Sequence, residues 1–151
     1  MGRIYTEIEA FLSEDGWPFT KLEEQTIAKT SFQGKHGEFN CFVQAREEQE
    51  HMLMYAVLPV CAPTGRREDV AGFITRANYG MIIGNFELDY EDGEVRYKTS
   101  VDLEDVPDFK ILLRNMIYAN VLTMDKYLPG LMRVIYGGVS GPEGIAEVEG
   151  A

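Results

Sequence analysis

The stretch NFELDYEDGEVRYKTSV, residues 85–101, gathers five carboxylates within eight residues: Glu87, Asp89, Glu91, Asp92 and Glu94. Carboxylates at that density can hold a divalent cation or divide acid and base roles between them. A calcium loop of the EF-hand type needs oxygen donors at its first, third and fifth positions, then glycine, then a late bidentate glutamate. With Gly93 as that glycine, the early donors would be Leu88, Tyr90 and Asp92, and the glutamate would be Thr99. Most of the ligand set is absent. A β-hairpin explains the same residues without a metal. Phe86, Leu88 and Tyr90 alternate with Glu87, Asp89 and Glu91, and beyond Asp92-Gly93 the residues Val95, Tyr97, Thr99 and Val101 alternate with Arg96, Lys98 and Ser100. Asp-Gly between two alternating runs is a strong hairpin signal. Pairing then sets acids of the first strand beside Arg96 and Lys98 of the second.

Other chemistry is sparse. His36 and His51 lie in polar turns, and Cys41 and Cys61 form no CxxC unit or Cys/His cluster. Zinc would need three or four such ligands together. Cys41 would need a histidine beside it to act as a nucleophile. Its place on an apolar strand predicts core packing instead, and Cys61, before a proline-rich turn, is expected to be more exposed. No glycine-rich dinucleotide or phosphate loop and no nucleophile elbow occurs. We therefore assign no catalytic residue, no metal ligand and no cofactor. Arg66 and Arg67 open a helix, as a solvated start or an anion contact. Asn78 and Asn120 fall near apolar helix faces.

The chain has 151 residues, 45% of them apolar, and a net charge of −11. This fits one domain over residues 1–151 with a sizeable core. The acidic balance repels phosphates and anionic lipid headgroups, so nucleic acid and membrane partners are not expected. Two isolated thiols suggest a reducing compartment, the cytoplasm. The opening MGRIYT matches a myristoylation pattern; an ordinary lead into a helix is the simpler expectation.

Ile8, Phe11 and Leu12 give a first helix, capped by Thr6 with Glu9 and stopped by Gly16. Pro18 places WPFTKLEEQ at an edge. TIAKTSFQ and GEFNCFVQAREE flank the turn GKHG as two strands, the second with Phe42 breaking its alternation. MLMYAVLPV, residues 52–60, follows. REDVAGFITRANYG is a helix with Val70, Phe73, Ile74 and Ala77 inward. After the acidic hairpin comes a long helix, with Asp105 as its cap and Pro107 in its first turn. Its stripe runs from Phe109 through Leu112, Leu113, Met116 and Val121 to Ile135 and keeps phase across Pro129, predicting a kink there. The tail from about residue 140 has a Ser140/Glu143 capping box, but its glycines predict a frayed end. The order α-β-β-β(-β)-α-β-β-α predicts an α+β fold with a largely antiparallel sheet and flanking helices.

MLMYAVLPV has no polar side. A strand sends alternate side chains to opposite faces, so helices on one face cover Met52, Met54, Ala56 and Leu58, or Leu53, Tyr55 and Val57, and not both sets. Phe42 on the neighbouring strand adds to the surplus. The other face needs a further helix, a twin subunit or a client. Phe42, Leu53, Tyr55 and Val57 are thus the candidate partner-binding residues.

FITRANYGMIIGNFELDYEDGEVRYKTSVDLEDV, followed by DKYLPGLMRVIYGGVSGPEGI, resembles the YbjN-like bacterial proteins, labelled sensory transduction regulators. Their fold is similar to that of the type III secretion chaperones, the class that includes the Tir chaperone. The resemblance runs from about Tyr5 to Ile145; Gly141 and Gly144 depart from the family's final helix. It implies an α+β domain without established catalytic residues, a homodimer, and action by binding another protein. Together these lines favour a non-enzymatic protein-binding module, chaperone-like or regulatory, whose partner is a protein client or regulator. The alternative is an enzyme or small-ligand sensor with a pocket between sheet and long helix, lined by Asn78, Tyr118 and Asn120.

Overall fold

The computed structural model describes residues 2–24 and 26–150. Helix α1 (Arg3–Glu14) leads into strands β1 (Thr20–Leu22), β2 (Ile27–Gln33), β3 (Glu38–Arg46) and β4 (His51–Val57). Then follow α2 (Arg67–Asn78), β5 (Asn85–Leu88), β6 (Val95–Asp102), the long α3 (Lys110–Tyr136) and α4 (Gly141–Glu149). The strands make one sheet in the order β1-β2-β3-β4-β6-β5, every neighbouring pair antiparallel. This is the expected α+β architecture, with one further helix at its end.

Strand alternation decides which face the helices take. Phe39, Cys41, Val43 and Ala45 of β3 are buried, as are Met52, Met54 and Ala56 of β4. The cross-strand register continues that face through Tyr97 and Thr99 of β6. Helix α1 rests on β2 and β3, α3 on β4 and β6, and α2 on β5, while α4 packs outside against α2 and α3. One hydrophobic cluster results, holding side chains from α1, α2, α3 and the covered face of the sheet, with Ile145 and Val148 of α4 packed against it.

Two polar residues fasten α3. Asn120 is fully buried, and its amide nitrogen reaches Met54 O (3.0 Å), Tyr97 O (3.2 Å) and Thr99 Oγ1 (3.1 Å), tying the helix to both central strands. Asp125 holds the β2–β3 turn: its carboxylate accepts from the backbone N–H of Lys35 (3.1 Å) and His36 (2.9 Å). Pro129 lacks an N–H, so the Asp125 carbonyl four residues earlier has no helical donor. The His36 ring nitrogen Nδ1 fills that place at 3.0 Å. The helix therefore continues through Pro129.

Three boundaries differ from expectation. Helix α1 begins at Arg3, not Thr6. A distant carboxylate caps it, Glu47 accepting from Ile4 N (3.1 Å) and Tyr5 N (2.8 Å). Helix α3 begins at Lys110, because the Arg3 guanidinium holds the carbonyls of Leu103 and Val106 at 3.0 Å each and keeps that segment out of the helix. Leu112, placed on the buried stripe by its spacing, is 40% exposed. The tail is the nine-residue helix α4, with the Ser140/Glu143 capping box formed. Its glycines are packing residues: a Cβ on Gly141 would lie 2.7 Å from Asp69 O and Phe73 N, and one on Gly144 2.7 Å from Val134. Their low helix propensity is offset by the close approach of α4 to α2 and α3.

The acidic hairpin forms with a shorter first strand. β5 ends at Leu88, so Tyr90 lies in the turn and is 55% exposed. Asp89 Oδ1 accepts from Glu91 N and Asp92 Oδ1 from Glu94 N, both at 2.9 Å. These acids build the turn.

Candidate functional site

The face of the sheet away from the helices carries the surplus apolar residues. Phe42 of β3 and Tyr55 of β4 are direct cross-strand partners. The register extends this pair into a row across the sheet: Lys29, Phe42, Tyr55, Lys98 and Asn85. One row to either side lie Ile27, Gln44, Leu53 and Ser100, and Asn40, Val57, Arg96 and Glu87. All four expected partner-binding residues, Phe42, Leu53, Tyr55 and Val57, are thus brought together on one side. Leu53 is buried among its neighbours on this face but lies outside the main core; the other three are half-buried. Beside Leu53 and Tyr55 is a shallow concavity of about 300 Å³, bordered by Arg46, His51, Lys98 and Asp102.

Cations sit on the aromatic rings. The Arg96 guanidinium carbon is 4.0 Å from the Tyr55 ring centroid, and Lys29 Nζ is 6.0 Å from that of Phe42. Such contacts contribute about 0.5–1 kcal/mol at exposed sites. Glu87 accepts from Arg96 Nε at 2.8 Å and from Lys98 Nζ at 3.0 Å. This confirms the expected pairing across the hairpin. Burial pushes the Glu87 carboxyl up, but the bonds and charges of Lys98 and Arg96 outweigh it and leave the group below the usual glutamate range.

The edges of the sheet are guarded. β1 has only three residues. On β5, the Asn78 carboxamide accepts from Phe86 N at 2.7 Å and donates to Phe86 O at 3.1 Å. It takes the backbone groups that an added strand would seek.

The polar residues suggested for an internal pocket have separate duties. Asn78 caps β5, Asn120 bridges α3 to the sheet, and the Tyr118 hydroxyl donates to Asp15. Cys41 is buried in the core, where desolvation pushes its thiol up to about 12; Cys61 is exposed. Arg66 donates to Val134 O and Val139 O, so it serves as an internal strut at the start of α2.

Several residues escaped the sequence. Ile27 and Lys29 belong to the face through register, and Arg96 and Lys98, expected beside the acids of the hairpin, join the same face through their pairing with β4. The run YGMII after α2 forms an apolar tip: Tyr79 is 91% exposed, Ile82 93% and Ile83 54%. The Tyr97 hydroxyl donates to Ile83 O and pins that loop. Five apolar or glycine residues beyond a helix stop were the available signal.

The site is therefore a surface on an open-faced, helix-backed sheet, the architecture of the type III secretion chaperone fold. A solved structure described as "Crystal Structure of the ExsC-ExsE Complex" is similar to this chain in fold, with a TM-score of 0.57 and 14% sequence identity over 84% of this chain and 92% of that one. No curated protein matches the sequence. Residues 5–130 match the model of the YbjN family, described as "Putative bacterial sensory transduction regulator", and the chain belongs to that family. Among the described residues, no helix is long and apolar enough to cross a membrane.

Proposed function

We propose that this chain is a non-enzymatic protein-binding module, regulatory or chaperone-like, which receives a protein partner on the uncovered face around Phe42, Leu53, Tyr55 and Val57. One observation carries the proposal. β4 is apolar toward both faces, and the helices cover only the face of Met52, Met54 and Ala56. A soluble protein that retains contiguous apolar surface commonly uses it for association.

The guarded edges favour docking across the face over strand addition. The engagement of Asn78, Tyr118 and Asn120 with protein groups favours binding over catalysis. Membership of a family described as regulatory accords with this reading.

The test compares wild type with Tyr55→Glu as baits in lysate of the native host, with matched unfolding curves to show that both are folded. A specific partner retained by wild type and lost by the variant supports the proposal. Equal capture by both places the contact elsewhere and overturns it. Light scattering on the purified chain distinguishes a second copy as the occupant: a dimer that Tyr55→Glu converts to a monomer identifies a self-association face.

A further inference from the structure

The charge of the uncovered face sets it apart from the rest of the molecule. Its strand positions hold four of the chain's 14 basic side chains, Lys29, Arg46, Arg96 and Lys98, but only three of its 25 acids, Glu38, Glu87 and Asp102. Within a chain of net charge −11, this face is close to neutral and slightly positive. Glu38 and Asp102 stand at strand ends, and Glu87 is engaged by both Arg96 and Lys98. Among the described residues, Lys29 and Arg46 make no ion pair. The centre is aromatic and aliphatic, and the cations flank it.

Resting on the docking face proposed above, we infer that its occupant is an acidic, extended protein segment with an apolar or aromatic side chain set between two carboxylates. The spacing follows from sheet geometry. Lys29 on β2 and Lys98 on β6 lie three strand spacings apart, about 14 Å. An extended chain advances about 3.3 Å per residue and points residues i, i+2 and i+4 the same way. Its i and i+4 side chains are therefore about 13 Å apart. A segment crossing the strands can set acids at i and i+4 on Lys29 and Lys98, with the i+2 side chain over Phe42 and Tyr55.

Single-stranded nucleic acid also combines negative charge with flat rings, but it fits less well. Single-strand binding uses a series of aromatic rings along a basic groove, and this face holds one aromatic pair, Phe42 and Tyr55. A polyphosphate also meets the field of the whole acidic chain.

The test uses the full chain, labelled with ¹⁵N and titrated with three probes. The first is the peptide acetyl-Ser-Glu-Ser-Phe-Ser-Glu-Ser-amide, the second the same peptide with both glutamates replaced by lysine, and the third a decauridylate. The acidic peptide is expected to shift resonances of Lys29, Phe42, Tyr55 and Lys98, and the basic peptide and the oligonucleotide are expected to leave them in place. Lys29→Glu should weaken the acidic peptide by about fivefold, the scale of one exposed charge pair, while Lys29→Arg retains binding. Equal binding of the basic peptide, preferential binding of the decauridylate, or no shift on this face at millimolar acidic peptide would each overturn the inference. A partner captured through Tyr55 whose docked segment lacks carboxylates would overturn it too, while leaving the docking face intact.

Discussion

Met54 and Tyr55 are sequence neighbours that face opposite sides of β4, so truncating each in turn separates the core from the uncovered face. Met54 is fully buried beneath α3. Met54→Ala removes its packing and leaves a cavity, which costs about 2–5 kcal/mol. Tyr55 is half-buried, and two of its contacts can be given a magnitude. The Arg96 stack contributes about 0.5–1 kcal/mol and the cross-strand contact with Phe42 about 0.2–1 kcal/mol. Tyr55→Ala should therefore cost about 1–2 kcal/mol, clearly less than its neighbour. Urea unfolding measures both, with an unchanged denaturant slope showing that the same transition is followed. A Tyr55→Ala cost equal to or above that of Met54→Ala would refute the reasoning: the face would then be a second core.

Other consequences can be checked in the same way. Asn120→Ala removes the amide that bridges α3 to Met54 O, Tyr97 O and Thr99, and should cost about 1–3 kcal/mol in urea unfolding; a neutral substitution would mean the bridge is dispensable. Glu87 has a depressed native pKa, so its contribution is present above the unfolded glutamate value of about 4.3 and is lost as pH falls through the native value. The stability gap between wild type and Glu87→Gln should accordingly narrow as pH drops from about 6 to about 3; a gap that stays constant contradicts the pairing. A thiol reagent should modify Cys61 in the native protein and reach Cys41 only on unfolding, since Cys41 is enclosed by the core and its thiol is pushed up to about 12; two thiols reacting at one native rate would contradict this burial.

The element order was legible because it rests on periodicity. Two-residue alternation marked β3 and β6, and the α3 stripe kept its phase across Pro129. The open face was legible for the same reason: β4 has too many apolar residues for one covered side, and Phe42 falls where β3 should be polar. What depended on contacts between distant residues could not be seen. Glu47 caps α1 across more than forty positions, and Arg3 delays the start of α3 by holding Leu103 and Val106. The glycines of α4 read as helix breakers, yet in place they are the flat surface that lets α4 approach Phe73 and Val134. The cations of the face, Lys29 above all, were hidden because strand register is itself a tertiary property. Tyr79, Ile82 and Ile83 carry no periodic pattern, and only the fold places them at an exposed tip.

Site-specific photocrosslinking tests the proposed docking face most directly. A photoreactive phenylalanine analogue is placed at Tyr55, and in a second protein at Ile111, an exposed apolar position on the helix side that is 65% accessible. In lysate of the native host, the analogue at position 55 should give a discrete adduct with one protein partner, absent at position 111 and lost when Phe42→Glu is added. Adducts at position 111 with none at position 55 would contradict the account.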